Sequence, residues 1–190
     1  LQVAALGRAM LAGLAAGGVC GVVKHIPGHG RGRTDSHVGL PVVDATREDL
    51  ETDLAPFVAL RDAPMAMAGH VLFPAWDDER CASQSPVVIA EVIRERIGFD
   101  GLLMSDDLAM AALSGTLGAR AQATIAAGCD LALHGSGDPA DNRQIAAALG
   151  GMGEDARARL ERAMSRIAGR SSGQSFEALA AKRDTLLALA

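Results

Sequence analysis

Three of the chain's five histidines, together with Lys24 and Asp35, fall in Lys24-His25-Ile26-Pro27-Gly28-His29-Gly30 and the Thr34-Asp35-Ser36-His37 that comes after it. A second cluster, Ser105-Asp106-Asp107, stands further along. Imidazole and carboxylate groups are the side chains suited to moving protons near neutral pH, and a carboxylate can also attack as a nucleophile. Each cluster is preceded by an apolar run, Val19-Cys20-Gly21-Val22-Val23 before the first and Gly101-Leu102-Leu103-Met104 before the second. Short, glycine-bounded apolar runs read as buried strands. The polar residues are therefore expected at the carboxyl ends of strands and on the loops beyond them. Parallel α/β folds place their chemistry at that edge, so two such clusters point to an active site.

The elements that must hold these residues alternate along the chain. Apolar residues at Val3, Leu6, Met10 and Leu14 form a helical stripe that stops at Gly17-Gly18. Thr46 and Asp49 make a capping pair for a helix that Pro56 should kink or restart. A second strand is expected over residues 65–71, ending in Gly69-His70. Ser85-Pro86 opens a helix that Gly98 closes. The third strand covers residues 101–104, and a fourth, Asp130 to His134, comes after a helix ending near Gly128. Asp138-Pro139 caps the next helix, and residues 153–169 and 175–188 form a helical tail. Strands alternating with helices imply a parallel sheet with right-handed crossovers. Four strands cannot close a barrel of eight, which typically needs about 250 residues.

Composition narrows the partners. A net charge of −5 speaks against nucleic acid or an anionic membrane surface. With aromatics at 3%, stacking on aromatic platforms is not the main binding device. Cys20, Cys81 and Cys129 are odd in number and lack CxxC spacing, as expected of reduced core residues in a cytoplasmic protein. No apolar stretch in the sequence is long enough to span a bilayer.

At the level of motifs the chain resembles glycoside hydrolase family 3. Lys24 to Gly30 resembles its KHFPGHG signature, with Ile26 in place of the usual Phe. Asp35-Ser36-His37 with Leu40-Pro41 is similar to the DSH-x-x-LP loop of the β-N-acetylhexosaminidase branch. Ala68-Gly69-His70-Val71, Ser83-Gln84-Ser85-Pro86, the segment Gly98 to Leu108 and Ala127-Gly128-Cys129-Asp130 match further blocks in the same order. Arg31-Gly32-Arg33 departs from the more common acidic–Thr segment.

The resemblance implies a (β/α)8 TIM-type barrel, with this chain covering about strands 5–8 and a C-terminal helical tail. On that reading residues 1–190 are the C-terminal half of the catalytic barrel, and the first four strands have no counterpart. It implies a retaining, metal-independent β-N-acetylglucosaminidase without cofactor. Asp106 would be the nucleophile, His37 the general acid/base oriented by Asp35, and Lys24 and His25 the substrate-binding pair. Capping of the next helix is the competing role for Asp106 or Asp107, and a local turn the competing role for Asp35 and His37. The implied substrate is a small carbohydrate, the N-acetylglucosaminyl-anhydromuramyl muropeptides of cell-wall recycling in the cytoplasm. His29 is expected to brace its loop, and His70 and His134 either to line the pocket or to serve structure.

Two alternatives accompany this reading. One is a metal-dependent hydrolase using His25, His29, His37 and Asp106, although Pro27 and two glycines break the helix that His25-x-x-x-His29 would need. The other is a catalytically incomplete half-barrel, awaiting its missing half or self-association. The exposed edges and uncovered wall of a four-stranded sheet lead to that expectation, and the 190 residues alone are expected to be inactive or nearly so.

Overall fold

The computed structural model describes residues 2–171 and 173–189. Four parallel strands form its main sheet: β1 (Val22–Ile26), β2 (Met65–Ala68), β5 (Leu102–Asp107) and β6 (Leu131–Leu133), in the order β1-β2-β5-β6. Each later strand joins the same growing edge. A doubly wound sheet reverses its strand order at a switch point, whereas a barrel adds strands in one rotational sense. The sheet is thus the singly wound α/β arrangement of a TIM-type barrel, of which the chain covers part.

Helices α1 (Gln2–Ala16), α2 (Arg47–Ala59), α3 (Leu117–Ala126), α4 (Pro139–Ala148), α5 (Glu154–Ser165) and α6 (Phe176–Leu187) accompany the strands. The caps fall where the sequence puts them. Thr46 Oγ1 accepts from the Asp49 N–H at 3.1 Å, and Asp138 Oδ1 from the Ala140 N–H at 2.7 Å. Pro56 lies inside a continuous α2, so it neither stops nor restarts that helix. Ser85 Oγ accepts from the Val88 N–H, and the helix it opens, Val88–Arg96, is wound in the wide i→i+5 pattern, with the Ile97 N–H on the Val92 carbonyl.

The first strand begins later than the sequence suggests. The Val19 N–H still bonds the Leu14 carbonyl of α1, and side chains of α1 crowd Gly21, so sheet pairing starts at Val22. Lys24 and His25 consequently belong to β1 itself. β2 ends at Ala68, where the expected strand ran to 71. Beyond it the chain folds into an antiparallel hairpin of β3 (Leu72–Phe73) and β4 (Asp77–Cys81), which the helix-and-strand alternation did not reveal.

The core lies between the sheet and its covering helices. Leu50 and Leu54 from α2, Ile89 and Ile93 from the π-wound helix, and Ala66, Ala68 and Leu103 from the strands are all buried together with Phe73 and Phe99. A buried ionic clasp closes the strand starts: Asp130 receives Arg94 Nη2 and Arg159 Nη1, both at 2.9 Å, and the Leu103 N–H at 2.8 Å. By contrast α1 buries no residue, and Val3, Leu6 and Met10 are exposed along it. No helix among the described residues is long and apolar enough to cross a membrane.

Candidate active site

Both strands that carry the polar clusters lose register at their carboxyl ends. Lys24 pairs with Met67 but Ile26 with Ala68, so β1 contains one extra residue, His25. Met104 pairs with Leu131 but Asp107 with Leu133, which leaves one extra residue in β5 between them. A bulge re-aims the side chains around it. Here the result is a meeting across the sheet, with His25 Nε2 lying 3.4 Å from Asp106 Oδ2. Gly69, at the end of β2 between them, makes that approach possible, since a Cβ there would sit 3.2 Å from the His25 Cβ.

Asp106 is only 7% exposed, and its carboxylate is held on one side by backbone: the Asp107 N–H donates to Oδ1 at 2.9 Å. Ser105, fully buried, fixes the same peptide, since its hydroxyl donates to the Asp106 carbonyl at 2.7 Å and accepts from the Leu133 N–H. Burial holds His25 below the ordinary histidine range, outweighing the opposing attraction of Asp106. A neutral His25 can donate one N–H towards Asp106 without supplying a full charge.

The Asp35–His37 pair is built differently. Asp35 Oδ1 accepts from the His37 backbone N–H at 2.9 Å and faces its Nδ1 at 2.7 Å. The backbone bond first, and the ring second, hold the Asp35 carboxyl below the usual carboxylate range. An ionised carboxylate only accepts, so the proton of that contact sits on Nδ1 and Nε2 is free. Both side chains are open to solvent, 64% and 72% exposed. Between them Ser36 is buried, and its carbonyl accepts from the Ala112 N–H, which ties this loop to the one after β5. Arg31 anchors the loop's other end on Asp53 of α2.

Lys24 is exposed on β1, and a groove of about 520 Å³ runs past Lys24, His25, His29, Arg31 and Asp53. His29 stacks edge-on against His25 with ring centres 5.8 Å apart, and its carbonyl closes a turn with the Gly32 N–H. The four donors His25, His29, His37 and Asp106 do not converge. Among the described residues no group of three His, Cys, Asp or Glu side chains is arranged to hold a metal ion.

His70 and His134 do not line the groove. His70 is fully buried and uses both ring nitrogens. His134, its side chain 4% exposed, lies 3.4 Å from Asp107 Oδ1 and hydrogen-bonds Asp141 and Ser136 through Nε2. Asp107 takes the supporting part: its carboxylate accepts from the Ala109 and Gly135 N–H groups. A side chain at Gly135 would strike that carboxylate, with a Cβ 2.9 Å from Oδ2. Ser105 is the position whose role sequence reasoning left unassigned, while for His70 the pocket-lining and structural readings both stood open. The signal for Ser105 was its place directly before the carboxylates.

One sheet edge thus gathers a carboxylate at the end of a parallel strand, an imidazole beside it, and an Asp–His pair on a loop bonded to the one after β5; parallel α/β folds place their chemistry at that edge. The chain belongs to glycoside hydrolase family 3, because the profile "Glycosyl hydrolase family 3 N terminal domain" matches residues 1–169. It is 40% identical over 187 residues to the β-hexosaminidase of Chromobacterium violaceum, an alignment covering 96% of this chain and 51% of that protein. The chain thus spans about half the length of that relative.

Solved structures agree. The family 3 β-N-acetylglucosaminidase of Paenibacillus superposes with a TM-score of 0.79 at 34% identity, over 90% of this chain and 35% of that one. NagZ from Neisseria gonorrhoeae, in complex with N-trifluoroacetyl-D-glucosamine, gives 0.77 at 31% identity, over 95% and 53%.

Proposed function

We propose that this chain is the catalytic-residue-bearing, C-terminal half of a retaining β-N-acetylglucosaminidase barrel, with Asp106 as nucleophile. One observation carries the reading. At the end of β5 a nearly buried carboxylate is aimed by a backbone N–H and by a neutral imidazole, with a solvent-facing Asp–His pair on the loop bonded beside it. The likeness to a family 3 β-N-acetylglucosaminidase and to a NagZ bound to a glucosamine derivative supports the sugar class. Open strand edges at β1 and β6 and the exposed apolar face of α1 support a sugar pocket completed by further strands. The bonds that orient the sugar would be shared between the two parts.

In the first step the Asp106 carboxylate attacks the anomeric carbon, the bond to the leaving oxygen breaks, and His37 Nε2 protonates that oxygen. In the second, neutral His37 removes a proton from water as it attacks the same carbon, releasing Asp106 and restoring the imidazolium. Asp35 keeps Nδ1 protonated throughout, so Nε2 is the atom that works. Lys24 and His25 hold the sugar hydroxyls, and no metal or cofactor takes part. Terminal β-linked N-acetylglucosamine of muropeptide fragments, turned over in the cytoplasm, is the substrate this reading assigns.

The test is the stereochemistry of an aryl β-N-acetylglucosaminide cleaved by the complete barrel, this chain together with the strands that close it. Proton NMR should show the β-anomer as the first product. The α-anomer appearing first would exclude a covalent intermediate on Asp106.

A further inference from the structure

The buried histidine at the end of β2 has a geometry that reaches the Asp106 carboxylate without touching it. His70 lies at the carboxyl end of that strand with no exposed surface. Its Nε2 is 3.0 Å from the Asp107 carbonyl oxygen, which can only accept, so Nε2 carries the hydrogen. Nδ1 then accepts, and the Ser83 hydroxyl, also fully buried, donates to it at 2.7 Å. The carbonyl thereby fixes the tautomer, and the hydroxyl holds the other edge of the ring. Asp107, gripped through its carbonyl, presents its own N–H to Asp106 Oδ1 at 2.9 Å.

We infer that His70 is a positioning residue for the nucleophile: through the Asp107 backbone it sets the direction of the N–H that aims the Asp106 carboxylate. This rests on the reading of Asp106 as nucleophile. Two further contacts locate the same residue pair, Ser105 Oγ on the Asp106 carbonyl and the Leu108 N–H on the Leu133 carbonyl. The second of these, with the Leu133 N–H on Ser105 Oγ, fixes the strand against β6, on one side. His70 fixes it from the β2 side. Without it the Asp107 carbonyl keeps only the Met110 N–H of the following turn, at 3.1 Å, and among the described residues nothing holds it from the β2 side; against β6, β5 has already given up regular pairing through its extra residue.

A displacement of the reacting group by about 1 Å is enough to cost roughly a hundredfold in rate. In the complete barrel His70→Ala should therefore lower kcat about 10- to 100-fold, with KM moving less than about threefold. His70→Gln keeps an N–H for the Asp107 carbonyl and should recover most of the lost rate. Ser83→Ala keeps the ring but frees its orientation and should fall between the two.

Rates are referred to competent sites, counted by the adduct formed with a slow fluorinated N-acetylglucosaminyl donor, so a poorly folded fraction does not enter. A histidine serving stability alone would lower the unfolding temperature in all three variants and leave kcat per competent site unchanged; that result would overturn the inference. Failure of His70→Gln to exceed His70→Ala would also overturn it. An adduct of the unsubstituted protein at a residue other than Asp106 would remove the nucleophile reading itself, and this inference with it.

Discussion

Two acid–imidazole pairs lie on one edge of the sheet, and they are held by opposite means. His25 and Asp106 are anchored in strands, partly or almost wholly buried, and stand 3.4 Å apart because two strands each carry an extra residue. Asp35 and His37 are two residues apart on an exposed loop, paired by a local turn in which one carboxylate oxygen takes both the backbone N–H and the ring. The difference fits the two roles proposed for them. A nucleophile must be placed to a fraction of an ångström, and packing supplies that. A group that shuttles a proton between a leaving oxygen and water must meet solvent, and a loop supplies that.

The sharpest way to break the comparison is to remove the buried member. Asp106→Ala in the complete barrel should reduce turnover of an aryl β-N-acetylglucosaminide by several orders of magnitude, read as kcat/KM. The exposed pair should respond selectively. His37→Ala and Asp35→Asn should slow substrates with poor leaving groups by about 10²- to 10⁴-fold while sparing activated aryl ones, because only the former need protonation. Equal damage across a leaving-group series would make His37 a substrate-positioning group.

Much of this contrast was legible in the sequence, for physical reasons that differ between the two pairs. Asp35 and His37 are sequence neighbours, so their contact needs only local turn chemistry. Caps such as Thr46–Asp49 and Asp138–Pro139 are equally local and fell where expected. The meeting of His25 with Asp106 spans three strands, and it depends on bulges that no periodicity announces. The start of β1 was misplaced for a related reason. The apolar run at Val19 looks like strand, yet its first N–H is still engaged by α1. The β3–β4 hairpin escaped because its strand Asp77–Cys81 is mostly polar and exposed. His70 was visible as a residue; only its two fixed partners, from residues 83 and 107, show what it can do.

The scaffold beneath the site gives a third contrast, between buried and exposed carboxylates. Asp130 is buried among two arginines and a backbone N–H, so Asp130→Ala should destabilise by about 3–5 kcal/mol through the charges it leaves unpaired. Asp100, which meets Arg159 and Arg162 at the surface, should cost less than about 1 kcal/mol when replaced. Denaturant melts of the two variants would read the difference.

The smallest effect expected is on pH. Burial lowers the pKa of His25 and of His70 in the folded state, so the unfolded chain binds more protons between the folded values and about 6.5. Stability should therefore be full above about pH 6.5 and fall as the pH drops through that window. His70→Gln should flatten this part of the profile. A profile that stays level through it in the unsubstituted chain would contradict the assignment of both rings as neutral.

The measurement that bears most directly on the account is the site of the covalent intermediate. The complete barrel treated with a slow fluorinated N-acetylglucosaminyl donor, digested and sequenced by mass spectrometry, should carry the sugar on Asp106 alone. Sugar found on Asp107 or Asp35, or a fully inhibited protein with no adduct, would contradict it.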